Sequence, residues 1–421
     1  EAKNIHGFNA VRLGVLPEAV EPRPGHFDDA YLRNIESTVG LLRRYGIRSL
    51  LDFHQDLYNE KFQGEGLPAW MIDDDGLPVA PKTGFPGNYF VMPALQAAFA
   101  NLWANAKGPG GIGLLTRYIA LVRHVAAYFH GVPGVFGYDV FNEPFPGPEF
   151  LACFPPLGCP ALDASRLRPA MAAMIHAVHS VDPRALAFFE PWVDFDYGAP
   201  TGIGKVASGP VGMSFHDYCL GTLGIPSIPG EQAVCNLAVE ERAMANAMHQ
   251  ADTYGSALLL TEFGSSTDVG DIHEILSLAD SHSISWLEWA YCDCGDPTGS
   301  GQKEAMVFDT HKAPSGSNID HATLRLLDEP YAQLVSGTPQ SSSYDAASDV
   351  FSLRFSTTSP AGHANVTGAR TSIYTSPLHY PHGYRVTVTG GHVVGDASGP
   401  HLVVAQDAGA HTVTVTIASP Y

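Results

Sequence analysis

Short apolar runs alternate with longer amphipathic stretches from the start of the chain to about residue 335. Nearly continuous apolar runs are typical of parallel strands that helices cover on the outside. The predicted strands are "AVRLGV" (10–15), "IRSLLDF" (47–53), "VFGYDVF" (135–141), "ALAFFE" (185–190), "VGMSF" (211–215), "ALLLT" (257–261) and "ISWLEW" (284–289). The predicted helices between them include 28–45, 112–130, 165–181 and 238–254.

Seven such strands, with polar residues at their C-terminal ends, indicate an α/β fold of the (β/α)8 TIM barrel type. A doubly wound sheet is the alternative, but no glycine fingerprint follows an early strand. The opening stretch "EAKNIHGFNAVRLGV" resembles the end of a first helix that leads into strand two. We therefore expect strand one to precede residue 1, because a barrel of seven strands would leave open edges.

The pattern changes after "SGTPQSSSYDAASD" (336–349). Apolar and polar residues then alternate between Gly/Pro turns in "VFSLRFST", "TSIYTS", "YRVTVTG", "HLVVAQ" and "HTVTVTIAS". This alternation predicts an antiparallel β-sandwich. The sequence thus divides into a barrel domain, 1–337, and a C-terminal β-sandwich domain, 338–421. We expect the sandwich to be a rigid structural cap, with carbohydrate or membrane binding as the alternative.

Composition excludes several classes of function. The 421 residues carry a net charge of −20, which repels nucleic-acid phosphates and anionic membranes. No apolar run is long enough to span a membrane. Residue 1 does not begin a signal peptide, so we expect any targeting segment to have been removed or to lie outside this chain.

Six cysteines indicate disulfides rather than a metal centre. None forms a CxxC motif, so we expect no metal site. Cys153 and Cys159 flank a short loop with two prolines, and Cys219 and Cys235 bracket a Gly/Pro-rich loop, so these pairings are predicted from proximity. The even count favours an oxidising, extracellular setting.

Polar residues at the strand ends form the candidate site, because barrel enzymes bind substrate at that face. The set comprises Arg12, His54, Asn142, Glu143, His216, Tyr218, Glu262 and Trp289. Counted with the expected first strand, Glu143 ends strand four and Glu262 ends strand seven, nearly opposite each other. Two facing carboxylates are what glycoside hydrolysis requires.

The residues near these carboxylates indicate which acid is the nucleophile and which is the acid/base. We predict that Glu262 is the nucleophile, its pKa lowered by Arg12 and by a hydroxyl from Tyr218. We predict that Glu143 is the acid/base, its pKa raised by burial and by the second carboxylate.

Three further residues complete the predicted site. Asn142 is expected to bind the sugar 2-OH. His216 is expected to orient Glu143, and Trp289 to stack under the sugar. Two other acids occur in the similar motifs "FEP" and "DEP": Glu190 is predicted to have a structural packing role, with a place in the lining of the site as the alternative, and Glu329 is predicted to be solvated.

The motifs "FNEP", "TEFG", "VRL", "FHQD" and "FHDY" resemble those of glycoside hydrolase family 5. The stretches "LDFHQDLYNEKFQGEGLPAW" and "FANLWAN" are similar more narrowly to endoglycoceramidases, secreted bacterial enzymes that release the intact oligosaccharide from glycosphingolipids. The resemblance implies a retaining mechanism with Glu143 as acid/base and Glu262 as nucleophile. It also implies that His54, Asp56, Trp103, Asn142, His216, Tyr218 and Trp289 occupy sugar-site positions.

Two long insertions, 54–111 and 216–236, are expected to be functional. Apolar residues in the first predict a groove for lipid chains: Trp70, Met71, Ile72, Phe85, Phe90 and Val91. The expected protein is a secreted bacterial monomer that acts without a cofactor on glycosphingolipid at a membrane or micelle surface. The alternatives are an exo-type β-glucosidase for glucosylceramide or steryl glucoside, an endoglucanase, and a lectin-like protein without activity.

Overall fold

The computed structural model describes residues 6–218, 237–266, 268–299, 304–364 and 366–420. By packing, the chain divides into two units. One comprises residues 10–267 and 286–313, and the other comprises residues 1–9, 268–285 and 314–421.

A parallel sheet of seven strands, hydrogen-bonded in chain order from β1 to β7, forms the frame of the first unit. The strands are β1 Ala10–Val15, β2 Arg48–Phe53, β3 Val135–Asp139, β4 Leu186–Phe189, β5 Val211–Asp217, β6 Ala257–Phe263 and β7 Ser285–Trp286. All seven were predicted from the apolar runs. Sheet and helices together confirm the TIM-barrel class of fold.

Helices separate these strands along the chain, and the four predicted helices are confirmed to within three residues. The α-helices are α1 Pro17–Val20, α2 Asp29–Arg44, α3 Gly87–Val91, α4 Pro93–Trp103, α5 Leu114–Phe129, α6 Pro160–Leu162, α7 Arg168–His179, α8 Leu237–Tyr254, α9 Val269–Ser281 and α10 His321–Leu327. Local chemistry sets their ends. The Asp28 carboxylate accepts hydrogen bonds from the N–H groups of Ala30 and Tyr31 at the start of α2. Gly46 follows that helix in the left-handed conformation, with φ 81°.

Apolar side chains from alternate strands fill the interior of the sheet. Leu50, Phe188 and Leu259, from β2, β4 and β6, form a buried cluster with Leu287. Layers of this kind are characteristic of barrel interiors. The apolar layer supports the strand ends, where the polar residues lie.

The second unit contains eight antiparallel strands in two sheets of order β12-β15-β10-β9 and β13-β14-β11-β8. These strands are β8 Tyr331–Leu334, β9 Thr338–Asp345, β10 Val350–Ser356, β11 Arg370–Tyr374, β12 Arg385–Thr389, β13 Gly391–Val393, β14 His401–Gln406 and β15 Thr412–Ala418. Alternate residues such as Phe351, Leu353 and Phe355 form the core between the sheets. The predicted β-sandwich is confirmed.

Three strands of the sandwich, β8, β9 and β13, lie outside the predicted apolar runs. β9 occupies the polar stretch before residue 349, and β8 pairs with β11 although it precedes residue 338. The domain boundary at 337/338 therefore stays a prediction. The first strand of the sandwich, β8, begins a few residues before it.

Candidate active site

The carboxylates of Glu143 and Glu262 line one cleft of about 870 Å³, its open mouth included. Glu262 lies in β6, and Glu143 follows the end of β3 by four residues. Both side chains are nearly buried, with Glu143 6% and Glu262 4% exposed. Because the carboxyl ends of parallel strands meet at one edge, two acids distant in sequence face the same space.

His216, at the end of β5, connects the two acids. Its Nδ1 lies 2.8 Å from Oε1 of Glu143 and 3.4 Å from Oε2 of Glu262. The nearest oxygens of the two carboxylates can therefore be no further apart than the sum of these two distances. That limit accommodates the ~5–5.5 Å that separates the two carboxyl groups of retaining glycosidases.

Arg12 and Tyr218 both contact Glu262, as predicted. Arg12 Nη1 donates to Oε1 of Glu262, and the Tyr218 hydroxyl donates to Oε2 at 3.0 Å. With both oxygens bound to donors, the Glu262 carboxylate is held in one orientation.

The guanidinium of Arg12 is also held by other side chains. Nη2 lies 3.0 Å from Asp52, 3.1 Å from Asp139 and 2.9 Å from Glu190. It also donates to Oδ1 of Asn142 at 2.7 Å. Arg12 therefore links the strand ends of β1, β2, β3 and β4 beneath the cleft.

The pKa values of the two acids do not follow the predicted order. Burial alone would raise the pKa of Glu143, but the hydrogen bond and charge of His216 outweigh burial and hold that pKa below its usual value. Burial raises the pKa of Glu262 above its usual value, although the charges of His216 and Arg12 oppose the shift. The prediction was wrong because it assigned His216 an orienting role and no charge.

His216 itself is held as a cation. Burial lowers its pKa, but the charges of Glu262 and Glu190 and the hydrogen bond to Glu143 outweigh burial, so the pKa lies well above the ordinary value. The transferable proton of the site is therefore shared between His216 and Glu143.

Three predicted residues lie together at one side of the cleft. The rings of His54 and Trp289 are stacked, with centroids 5.2 Å apart and planes 8° apart. Asp56 and Trp289 line the cleft, and His54 Nε2 lies 3.4 Å from Asp56 Oδ2. Oδ1 of Asp56 is buried and has no hydrogen-bond partner among the described residues. A substrate hydroxyl would supply that partner.

Two predicted residues lie behind the cleft wall. Trp103 packs against Phe141 and Trp192, and its indole N–H donates to the Phe145 carbonyl at 2.8 Å. It supports the wall, and its predicted sugar contact finds no support. Asn142 is fully buried, with Oδ1 bound to Arg12 and Nδ2 bound to the Gln55 carbonyl at 3.0 Å.

Much of the remaining cleft lining is aromatic. Its residues are Phe85, Tyr89, Phe90, Phe145, Phe150, Phe154 and Tyr197, which we call the aromatic wall. Of the predicted groove residues, Phe85 and Phe90 belong to it. Met71 instead lies in the core, and Trp70, Ile72 and Val91 do not line the cleft.

Glu190 and Glu329 are the two acids that the sequence analysis left outside the predicted pair. Glu190 is buried beside Glu143, where it contacts Arg12 and accepts a hydrogen bond from the Glu143 N–H at 2.7 Å. Glu329 follows α10 in the other unit. It is half-buried, and burial, with help from the Asp280 charge, raises its pKa to about 8. The prediction that Glu329 is solvated was wrong.

Residues that the sequence did not single out complete the site. Asp196 lies with Oδ2 4.0 Å from His216 Nδ1, Thr298 donates to Asp56 at 3.0 Å, and Glu304 accepts from the Trp289 indole at 3.2 Å. None follows a predicted strand directly. Their only signal is position within long loops at the strand ends.

Disulfides were also predicted from the sequence. The Cys153–Cys159 disulfide is confirmed, and Cys292 pairs with Cys294. The predicted Cys219–Cys235 pairing lies outside the described residues. In the part of the chain that the structure describes, no helix has both the length and the apolarity to cross a bilayer.

Comparison with known proteins supports this picture. The model of the cellulase family (glycosyl hydrolase family 5) matches residues 1–295, and that of the glycoside hydrolase family 5 C-terminal domain matches residues 330–417. Endoglycoceramidase I of Rhodococcus hoagii (strain 103S) is 31% identical over 428 residues, which cover 99% of this chain and 79% of the relative.

Two further relatives agree. The endoglycoceramidase of Cyanea nozakii is 28% identical over 411 residues, covering 91% of this chain and 76% of the relative. The structure of endo-glycoceramidase II from Rhodococcus sp. in complex with ganglioside GM3 superposes with a TM-score of 0.80 at 26% identity, covering 99% of this chain and 90% of that one. Family models and relatives span nearly the whole chain, so the protein belongs to glycoside hydrolase family 5.

Proposed function

We propose that the protein is a retaining endo-β-glycosidase that hydrolyses the bond between oligosaccharide and ceramide in glycosphingolipids. Glu262 is the nucleophile and Glu143 the acid/base. The observation that carries this proposal is that the two acids and the aromatic wall line the same cleft. An acidic pair cleaves a glycoside, and an apolar surface beside it accommodates a leaving group with lipid chains.

In the first step, a Glu262 oxygen attacks the anomeric carbon while the bond from that carbon to the ceramide oxygen breaks. Glu143 receives a proton from His216 across the 2.8 Å contact between the two side chains, gives it to the departing oxygen and is left as a carboxylate. In the second step, Glu143 takes a proton from water. The water oxygen then attacks the anomeric carbon and releases Glu262.

The residues around the pair support these steps. Arg12 and Tyr218 hold the Glu262 carboxylate in place for attack. Asp56 offers a buried oxygen to a sugar hydroxyl, and Trp289 offers a ring beside it. The proposed chemistry requires carboxylates and proton transfer only, so it implies no cofactor.

An exo-type β-glucosidase that acts on glucosylceramide or steryl glucoside is the second candidate. Mass analysis of the products from lactosylceramide and glucosylceramide separates the two. Release of intact lactose supports the proposal, and release of glucose alone from glucosylceramide supports the alternative. NMR of the first product should show the β-anomer; an α-anomer would contradict the retaining mechanism.

The setting of the reaction is also proposed. The two described disulfides favour an oxidising compartment, and we place the protein outside the bacterial cell. It acts there as a monomer at a membrane or micelle surface. Fractionation of the source organism tests the location, and sedimentation of the purified protein tests the oligomeric state.

A further inference from the structure

The backbone of Glu143 has an unusual conformation. Its φ is 41°, in the left-handed region that non-glycine residues with long side chains rarely adopt. Such a conformation persists only where surrounding contacts enforce it. In this protein, the conformation aims the carboxylate of the proposed acid at the cleft.

Two buried side chains hold this peptide from opposite sides. The Glu143 N–H donates to Oε2 of Glu190 at 2.7 Å. The Glu143 carbonyl accepts from Nε2 of Gln55 at 3.0 Å, and the same Nε2 donates to the Asn142 carbonyl at 3.0 Å. Both polar groups of one strained residue are thus bound by side chains from other strand ends.

The holding side chains are themselves fixed. Gln55 is fully buried, and its Oε1 accepts from the Tyr58 N–H at 3.0 Å. The Asn142 side chain returns a hydrogen bond to the Gln55 carbonyl, so the two residues hold each other. Glu190 is 2% exposed, and its Oε1 accepts from Arg12 at 2.9 Å.

Glu190 also contributes charge at the site. Its Oε1 lies 3.5 Å from Nε2 of His216, a nitrogen that has no hydrogen-bond partner among the described residues. The other charged groups that face His216 are Glu143, Asp196 and Glu262. The Tyr218 ring packs edge-on against the imidazole. Glu190 is the member of this set that accepts a hydrogen bond from the backbone of the acid and also faces the cationic histidine.

We infer that Glu190 and Gln55 are positioning residues that clamp the Glu143 peptide so that its carboxyl group meets the leaving oxygen. The inference rests on the proposed role of Glu143 as acid. Neither residue lines the cleft, so both act through Glu143. Loss of the clamp should impair protonation of the leaving group and leave the attack by Glu262 largely intact.

The test compares two substrates with different leaving groups: lactosylceramide, which needs protonation, and 2,4-dinitrophenyl β-lactoside, which does not. Glu190→Ala and Gln55→Ala should each lower kcat on the glycolipid by about 10- to 100-fold, because small displacements of a catalytic group are costly. The kcat/KM on the activated substrate, which reports the attack by Glu262 and not the later hydrolysis of the intermediate, should fall less than about threefold. Glu190→Gln, which keeps one acceptor, should retain more activity than Glu190→Ala.

The pH profile gives a second readout. Glu190→Gln removes one of the charges that keep His216 protonated, so the alkaline limb of kcat should move to lower pH. Gln55→Ala removes no charge and should leave that limb in place. Glu21→Gln is the matched control, because Glu21 is a buried acid that accepts the Gly25 N–H outside the cleft.

An equal loss on both substrates with an unshifted pH profile would overturn the inference, since that is the signature of a purely structural role. If Glu190→Ala does not fold, Glu190→Gln and Gln55→Ala decide the question alone. The activated substrate also distinguishes failure of the proposed function from failure of the clamp inference. A wild-type protein that cleaves the aryl lactoside but not glycolipid contradicts the proposed function, while the clamp remains testable by comparing 2,4-dinitrophenyl with phenyl β-lactoside.

Discussion

The carboxylates of Glu143 and Glu262 both lie within 3.4 Å of a single atom, Nδ1 of His216. The two acids come from β3 and β6, which are not neighbours in the sheet. A shared cationic histidine allows two buried carboxylates to coexist at short range, because its charge offsets their mutual repulsion. The same arrangement places a proton next to the acid before substrate is cleaved.

Substitution of Glu262 by Gln should lower kcat on lactosylceramide by a factor on the order of 10³ or more, because the attacking charge is lost. The fold should persist, since Gln has nearly the same shape. Glu241→Gln is the control, an exposed acid on α8. Turnover by Glu262→Gln at the wild-type rate, measured as released lactose, would remove Glu262 from the mechanism.

The wild-type pH profile should be bell-shaped. The rate should fall on the acid side as Glu262 is protonated, at a pH above the ordinary 4.5 because burial raises its pKa. On the alkaline side, the rate should fall only well above pH 6.5, because the His216–Glu143 pair must hold a proton and the pKa of His216 is raised.

His216→Asn tests the alkaline limb. Without the imidazolium, Glu143 alone must hold the proton, so the limb should move to lower pH. An alkaline limb at the same pH in the variant, measured on a soluble aryl lactoside, would show that His216 does not control the proton.

Removal of divalent metal should not affect the enzyme. Glu143, Asp196 and His216 bring possible ligand atoms within 4.8 Å of one another. We assign this cluster to proton sharing, because His216 Nδ1 is already hydrogen-bonded to Glu143. Protein dialysed against EDTA should keep its kcat. A loss of activity that zinc, manganese or calcium restores would instead make the cluster a metal site.

The Cys153–Cys159 disulfide should matter more for lipid binding than for catalysis. It closes the loop that carries Phe154, whose ring lies 6.0 Å from Phe90 and from Phe150 in the aromatic wall. A Cys153→Ser/Cys159→Ser variant should show a KM for glycolipid raised by about 10-fold, since apolar contacts would be lost. Its kcat/KM for a soluble aryl lactoside should stay near the wild-type value.

Phe154→Ala, with the disulfide intact, should reproduce this separation between substrates. If both substrates lose activity equally in both variants, the wall does not bind the lipid.

Glu329→Gln should stabilise the protein at alkaline pH. The pKa of Glu329 in the folded protein is about 8, against 4.5 for the ordinary side chain. Between these values the folded state binds a proton that the unfolded state lacks, so the free energy of unfolding falls as pH rises through this interval. The variant does not titrate there. It should gain on the order of 5 kcal/mol relative to wild type by pH 9.

Thermal unfolding at pH 5 and pH 9 measures this gain. Asp396→Asn is the control, because the pKa of this exposed carboxylate is lowered by its hydrogen bonds with Ser398. A constant difference in Tm between Glu329→Gln and wild type at the two pH values would contradict the burial argument.

The sequence by itself determined the seven strands of the parallel sheet, four of the helices between them and the pair of acids. Apolar runs mark buried parallel strands, and the residue that follows such a run must lie at the same edge as its counterparts on other strands. For that reason Glu143 and Glu262 could be predicted to face each other. The Cys153–Cys159 disulfide could also be predicted, because only six positions separate the two cysteines in the chain.

Only the tertiary structure decided how the site is held and charged. Glu190 and Glu143 are 47 positions apart, and Arg12 and Glu262 are 250 apart, so no local pattern encodes their contacts. The order of the two pKa values depends on the balance between burial and His216, which is a property of three-dimensional distance. The aromatic wall likewise combines residues far apart in the sequence, from Phe85 to Tyr197, and no local pattern encodes their meeting.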